Sequence, residues 1–246
     1  MKDLNIKIAG ETFCLKYRNP QIPLFFSDYI IDSTGEIPIC PTDDELNKIR
    51  ADFVRTDSKR FIELPNRSSA QLEFHTIHYV MAKAILKRGL LLVHGSAVAA
   101  DGQAYLFIAP SGTGKSTHTA LCKEVLGNRA FIINDDKQMI RLTGDVPLVY
   151  PTPWGMVKSG IQAQSAPLKA IVRLERAEEN MVKPINEAEM FPHIYKASIR
   201  GENAAEAAAI LNLEKKLLSK TELYCLKCRA DKDAAITAIK AIMENR

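Results

Sequence analysis

The segment from Tyr105 to Thr117, with the sequence YLFIAPSGTGKST, restricts local structure more than any other part of the chain. Its apolar first residues fit a buried strand, and a glycine-rich turn and an amphipathic pattern follow. Gly112 and Gly114 supply the backbone freedom that a tight turn needs. We therefore expect a strand, a turn and a helix. The helix is expected to bury a stripe formed by Thr117, Leu121 and Val125.

A strand, a glycine-rich turn and a helix in this order are typical of phosphate binding, because backbone N–H groups of the turn and the helix N-terminus attract anions. The sequence matches G-x-x-x-x-G-K-[ST] except for Ala109 at the first glycine. In that motif Lys115 reaches the terminal phosphates from an exposed loop, and the Ser116 hydroxyl ligates Mg²⁺. The expected phosphate-binding residues are Ser111, Gly112, Thr113, Gly114, Lys115, Ser116 and Thr117.

Residues 130–136, with the sequence AFIINDD, form an apolar run that ends in two carboxylates. Such a run predicts a buried parallel strand that places acidic side chains at its carboxyl end. In nucleotide-binding proteins a second motif of this kind holds Mg²⁺. Asp135 and Asp136 could divide two roles, one on the metal and one on an acceptor hydroxyl. An Asx turn at the strand end is the alternative interpretation.

His94 interrupts an apolar strand predicted over residues 90–99. A turn at Asp101–Gly102 would pair this strand with residues 104–108, which lead into the phosphate-binding turn. A buried polar side chain needs partners, so a structural role and a functional role for His94 both remain open.

The remaining pattern predicts a small β-rich unit at residues 1–66 and a nucleotide-binding domain at residues 67–246. A loop around Trp154 and Lys158 is expected either to face substrate or to pack Trp154 as an anchor. The other predicted strands are 4–8, 12–17, 60–64, 139–142, 148–150, 168–174, 181–185 pairing back on the preceding strand, and 223–228. The other predicted helices are 42–53, 68–88, one capped by Asn203 and one capped by Asp231.

Composition limits the class of protein. The net charge of +4 is small and dispersed, which argues against nucleic acid as a partner. No run approaches the roughly 18–20 apolar residues of a membrane span, and the N-terminus lacks an apolar signal region. Five cysteines without framework spacing indicate a reducing cytoplasm. Cys225 and Cys228 would face opposite sides of a strand, so a zinc site there is not expected.

Three motifs, at residues 94–98, 109–117 and 134–137, together resemble a superfamily that comprises HPr kinase/phosphorylase and the nucleotide-binding core of ATP-dependent phosphoenolpyruvate carboxykinase. More narrowly, the chain is similar to small HPr kinase-related bacterial proteins. These share a T-P-W loop, here residues 152–154, and a terminal L-x-C-x-x-D strand. The matching residues of that strand are Leu226, Cys228 and Asp231.

The resemblance implies an α/β fold with a P-loop and a mixed, strongly bent sheet around the nucleotide. It implies that His94 corresponds to the histidine upstream of the family's phosphate loop. It also implies that Ser116 and Asp136 are the Mg²⁺ ligands, which leaves Asp135 nearer the acceptor as general base, helped by His94. Catalytic roles thus fall to Asp135, His94 and Lys115.

The expected function is an ATP- and Mg²⁺-dependent kinase that transfers a phosphoryl group to a hydroxyl of a peptide, a protein or a small molecule. A nucleotide hydrolase is one alternative. A nucleotide-regulated peptide- or partner-binding module is another. The expected partners are a nucleotide and the acceptor, without nucleic acid or membrane, and a homo-oligomer is left open.

Overall fold

The computed structural model describes residues 1–58, 68–155 and 164–244. The predicted strand at 60–64 and Lys158 lie outside these residues. The chain divides into two compact units, Met1–Ile85 and Leu86–Arg246. No helix in the described ranges combines the length and the apolarity that crossing a bilayer requires.

The first unit contains a three-stranded sheet and helices. The predicted N-terminal hairpin is confirmed: the first two strands pair antiparallel, and a short third strand pairs parallel with the second. The elements are β1 (Lys2–Ile8), β2 (Glu11–Tyr17), α1 (Ile22–Phe25), β3 (Ile37–Ile39), α2 (Asp43–Ser58) and α3 (Ser69–Ala84).

Helix α3 begins with the capping box that its sequence predicts. The Ser68 hydroxyl accepts from the Gln71 N–H, and the Gln71 side chain accepts from the Ser68 N–H. This helix packs against α2 and α1 and belongs to the first compact unit. The observed division therefore falls after Ile85, whereas the sequence placed a boundary after residue 66.

The second unit contains nine strands and four longer helices in its described part. Short 3₁₀ segments span Leu86–Arg88 and Gly127–Arg129 in this unit and Ser27–Tyr29 in the first unit, and a π-helical turn spans Ile239–Met243. The elements are β4 (Leu90–His94), β5 (Ser96–Ala100), β6 (Gln103–Ile108), α4 (Lys115–Leu126), β7 (Ala130–Asn134), β8 (Lys137–Arg141), β9 (Leu148–Tyr150), β10 (Ala166–Arg176), β11 (Met181–Pro184), α5 (Glu187–Ala197), α6 (Ala204–Ser219), β12 (Glu222–Cys228) and α7 (Lys232–Ala238).

The nine strands form one mixed sheet, which confirms the mixed α/β class. Its order is β4-β8-β9-β10-β6-β5-β7, and β12 pairs with β10 and β11. Strands β6, β10 and β12 are parallel. Strand β7 pairs antiparallel with β5, which is itself antiparallel to β6, so β7 runs in the direction of β6. The carboxyl ends of β6, β7, β10 and β12 therefore lie at one edge of the sheet.

Apolar layers cover both faces of this sheet. In β6, Leu106 and Ile108 belong to the layer that α5 and α6 complete. Tyr105 and Phe107 belong to the layer that α4 and α7 complete. This alternation explains why the segment reads as a continuous apolar run, since both of its faces are buried.

The strand predicted over residues 90–99 is wrong, because Gly95 divides it into β4 and β5. Strand β5 pairs with β6, whereas β4 pairs with β8 and places His94 opposite Lys137. A Cβ atom at Gly95 would lie 2.7 Å from the Leu106 side chain and 2.8 Å from the Phe107 carbonyl oxygen. Only glycine fits there without a shift of its neighbours.

Two further expectations differ from the structure. Strand β11 does not pair back on β10 but lies antiparallel to β12. Helix α5 has no counterpart in the sequence prediction, although Asn186 and Glu189 form a capping box at its start.

The buried stripe of α4 is also rotated by one residue from the prediction. Thr117 is exposed, and Leu121 and Val125 are half-buried. The buried positions are Lys115, His118, Thr119, Cys122 and Leu126.

Candidate functional site

The turn between β6 and α4 has the backbone that its glycines predict. Gly112 has a φ of 80° and Gly114 a φ of 115°, and no atom lies within 4 Å of a Cβ built at either position. Backbone conformation, not space, therefore requires glycine there. Ala109 keeps a negative φ, which explains why alanine can occupy the position of the motif's first glycine.

Lys115 is 7% exposed, so the expectation of an exposed loop lysine is wrong. Its Nζ donates to the Ala109 carbonyl oxygen at 2.9 Å and to the Pro110 carbonyl oxygen at 3.3 Å. Burial lowers the pKa of this ammonium group, and Lys137 lowers it further, while Asp136 opposes both. The Lys115 ammonium group is thus bound to carbonyl groups of the turn, and it would give up these bonds to reach a phosphate.

An Asx turn shapes the segment after β7. The Asn134 Oδ1 accepts from the Asp136 N–H at 3.0 Å, and the Asn134 Nδ2 donates to the Thr152 carbonyl oxygen at 2.9 Å. A Cβ atom on Gly155 would lie 2.3 Å from the Asn134 Oδ1 and 3.0 Å from the Asp135 Oδ1. The Asx turn coexists with the two carboxylates, because the Asn134 side chain closes it.

Asp136, rather than Asp135, contacts His94. The His94 Nε2 lies 3.2 Å from the Asp136 Oδ1, and the Lys137 Nζ donates to the same oxygen at 3.0 Å. Burial lowers the pKa of His94 to about 4, Lys137 and Lys115 contribute in the same direction, and Asp136 opposes them. His94 is therefore neutral near pH 7, and its contact with Asp136 requires the proton on Nε2.

These segments border one cavity of about 380 Å³, called the first cavity below. Its volume falls in the range of about 300–1,000 Å³ typical of small-molecule sites. Of the predicted site residues, only Thr113 does not line it. The lining residues are His94, Ser111, Gly112, Gly114, Lys115, Ser116, Thr117, Asp135 and Asp136.

The oxygen donors in this cavity suit Mg²⁺ held together with phosphate oxygens and water. The Ser116 Oγ donates to the Asp135 carbonyl oxygen at 3.3 Å, which joins the start of α4 to the carboxylates. The described contacts of the Asp136 carboxylate all use Oδ1, so its Oδ2 remains available. No cluster of three acidic, histidine or cysteine ligands occurs in the described ranges. Mg²⁺ commonly needs only one or two carboxylates beside phosphates and water.

Comparison with solved structures gives a distant likeness. No family model and no curated protein matches the chain. The HPr(Ser) kinase/phosphatase from Coxiella burnetii is similar over 63% of this chain and 94% of its own, with 9% sequence identity and a TM-score of 0.37.

Two basic residues at this edge of the sheet were missed by sequence reasoning. Lys137 follows the paired aspartates directly, which could have indicated a role beside them. Arg176, at the end of β10, donates from Nη2 to the Gly112 carbonyl oxygen at 2.5 Å and from Nε to the Thr113 carbonyl oxygen at 3.4 Å. No local pattern marks Arg176, because its partners are 64 and 63 residues away.

The loop before the undescribed residues 156–163 contacts the segment that follows β7. Trp154 is 3% exposed, which agrees with the interpretation of a packed anchor. Its carbonyl oxygen accepts from the Lys137 N–H at 3.2 Å. The Thr152 Oγ1 donates to the Lys137 carbonyl oxygen at 2.5 Å. This loop therefore fixes the backbone on which the carboxylates stand.

Proposed function

We propose that the chain is an Mg²⁺-dependent kinase that transfers the γ-phosphoryl group of ATP to a hydroxyl group. The observation that carries the proposal is the meeting of the β6–α4 turn, the end of β7 and His94 in the first cavity. Phosphoryl transfer requires mainly positioning and neutralisation of charge. The cavity combines backbone donors, a lysine and two carboxylates, which are the groups that such a reaction uses.

We assign a role to each residue from its position in the first cavity. The backbone N–H groups of the turn and Lys115 bind the β- and γ-phosphates. The oxygen of the acceptor hydroxyl forms a bond to the γ-phosphorus, and Asp135 accepts the proton of that hydroxyl. The bond between that phosphorus and the β–γ bridging oxygen breaks, and ADP leaves. Asp135 later releases the proton to water.

Asp136 and Ser116 would hold Mg²⁺, which when bound neutralises charge on the phosphate oxygens. His94 acts through Asp136: the neutral imidazole donates from Nε2 and orients the carboxylate. This differs from the expectation that His94 assists Asp135. The Lys137 Nζ donates a hydrogen bond to the Asp136 Oδ1, which leaves Oδ2 for the metal.

The two aspartates provide the test. Asp135→Asn should leave Mg-ATP affinity nearly intact and lower the transfer rate by roughly 10²–10⁴-fold, because only the base is lost. Asp136→Asn should weaken Mg-ATP binding and raise the Mg²⁺ requirement. The measurements are calorimetry with Mg-ATP and single-turnover transfer from γ-labelled ATP to a pool of serine-containing peptides and small alcohols. Asp145→Asn, an exposed aspartate in another turn, is the matched control.

Four results would contradict this proposal. Hydrolysis that no acceptor stimulates would indicate a nucleotide hydrolase. ATP binding without turnover would indicate a nucleotide-regulated binding module. Loss of metal dependence in Asp135→Asn but not in Asp136→Asn would exchange the two roles. Unchanged transfer in both variants would remove the kinase assignment itself.

A further inference from the structure

A second cavity of about 320 Å³ adjoins the same turn and plays no part in the mechanism above. It shares Gly114 with the first cavity. Its other walls come from α4, from the carboxyl ends of β10 and β12, and from the segments that follow these two strands. The lining residues are Thr113, Gly114, His118, Leu174, Glu175, Arg176, Ala177, Glu178, Cys228, Arg229 and Ala230.

The chemistry of this cavity differs from that of the first. Leu174, Cys228 and the His118 ring are buried and form an apolar part, to which Ala177 and Ala230 add small side chains. Charged side chains, two of them arginines, line the rest. An apolar surface with a few polar groups is typical of a site for the organic part of a ligand.

His118 is the most informative residue of this cavity. It is 4% exposed, its ring lies 4.8 Å from the Phe107 ring, and its Nε2 has no hydrogen-bond partner in the described part of the chain. Burial lowers the pKa of His118 to about 4, so the ring is neutral near pH 7. A buried polar atom without a partner is costly, and a ligand that pairs with it recovers that cost.

The two cavities define a path along the turn. In the first cavity Lys115, together with the Mg²⁺ that Asp136 would hold, selects the polyphosphate end of a ligand. From there the ligand would pass Gly114, whose missing side chain leaves open space, and reach His118. The acceptor cannot use this path, because it must approach Asp135, which does not line the second cavity.

Resting on the proposed function, we infer that the second cavity binds the nucleoside part of the phosphoryl donor. The donor class is therefore a nucleoside triphosphate rather than inorganic pyrophosphate or polyphosphate. His118 Nε2 forms a hydrogen bond with the base or ribose. Arg176, which holds the Gly112 and Thr113 carbonyl oxygens, borders the point where the phosphates meet the nucleoside.

The test compares ATP with inorganic tripolyphosphate, which carries the phosphates without the nucleoside. Calorimetry of the full chain with Mg²⁺ should show ATP binding at least about tenfold tighter than tripolyphosphate. Ala230→Trp fills the second cavity from an exposed position, so ATP affinity should fall to the tripolyphosphate value while tripolyphosphate affinity is unchanged. Ala208→Trp, at an exposed position on α6, is the matched control and should behave as the parent chain.

His118→Phe keeps a ring but removes Nε2, and should weaken ATP about two- to tenfold without affecting tripolyphosphate. Equal affinity for ATP and tripolyphosphate in the parent chain would overturn this inference and leave the proposed function standing. An ATP preference that survives Ala230→Trp would also overturn it. If neither ligand binds the parent chain, the proposed function fails instead. Thermal unfolding of each variant confirms that it is folded.

Discussion

Lys115→Met should separate the stability of the free protein from its affinity for phosphate. In the free chain the Lys115 ammonium group donates to two carbonyl oxygens, and such charge-assisted bonds contribute about 1.5–3 kcal/mol. Burial opposes this gain, because it lowers the pKa of the same group and so disfavours its charge. Methionine has a similar length and removes both effects. Pro110 is exposed and Ala109 half-buried, so water can reach their carbonyl groups. We expect the unfolding free energy to change by less than about 1 kcal/mol.

The bound state should respond differently. A phosphate contact from Lys115 is worth about 1.5–3 kcal/mol, which corresponds to a loss of about 10- to 150-fold in affinity. Chemical denaturation with and without Mg-tripolyphosphate measures both quantities in one experiment. Lys123→Met is the matched control, since Lys123 lies on the same helix and its Nζ donates to the Gly127 carbonyl oxygen at 2.6 Å, outside the first cavity.

The pH dependence gives a third readout. Because the folded-state pKa of Lys115 is lowered, the unfolded chain holds more protons between that pKa and 10.5. The stability of the free parent chain relative to Lys115→Met should therefore rise with pH in this window. A loss of several kcal/mol in the free variant, or an undiminished stabilisation by tripolyphosphate, would refute the reasoning.

Three further predictions concern neighbouring residues. Gly155→Ala should lower phosphoryl transfer, because a Cβ atom there would lie 2.3 Å from the Asn134 Oδ1 that closes the Asx turn and 3.0 Å from the Asp135 Oδ1; a transfer rate equal to that of the parent chain would contradict this. Lys137→Gln should raise the pKa of His94, which burial and then Lys137 lower, and an NMR titration with an unshifted midpoint would show that the Lys137 charge has no such effect. The folded-state pKa of His118 lies near 4, below its ordinary 6.5, so the unfolded chain takes up the proton first and stability falls as pH drops from about 6.5 to 4, by up to about 3 kcal/mol. His118→Phe should weaken the pH dependence of the denaturation midpoint across this window. An equally steep fall in the variant would show that His118 does not cause the loss of stability.

Local sequence signals located the turn between β6 and α4. The φ angles of Gly112 and Gly114 are properties of single residues, and the burial of β6 on both faces is visible as an unbroken apolar run. The caps of the later helices are local in the same way. Asn203 and Asp231 each accept from an N–H three residues ahead, as their positions predict.

What the sequence could not predict depends on approaches between distant segments. Leu106 and Phe107 lie too close to residue 95 for a Cβ atom, so this position between β4 and β5 requires glycine, and no neighbouring residue signals this. That break moves His94 beside Lys137 and hence onto Asp136 rather than Asp135. The start of α5 is a different case, because its capping box was readable in the sequence.

The bonds from Arg176 to the β6–α4 turn have a consequence for the order in which the protein becomes competent during synthesis. Arg176 follows Gly112 by 64 residues, so at about 5–20 residues per second the turn emerges about 3–13 s before the side chain that holds its carbonyl groups. Strand β6 likewise cannot pair with its parallel neighbour β10 until β10 has been synthesised. A nascent chain that ends near residue 150 should therefore present the whole glycine-rich motif without capturing its ligand. Nucleotide in the cell would then stabilise only chains in which β10 has already joined the sheet, and it would not assist the earlier steps of folding.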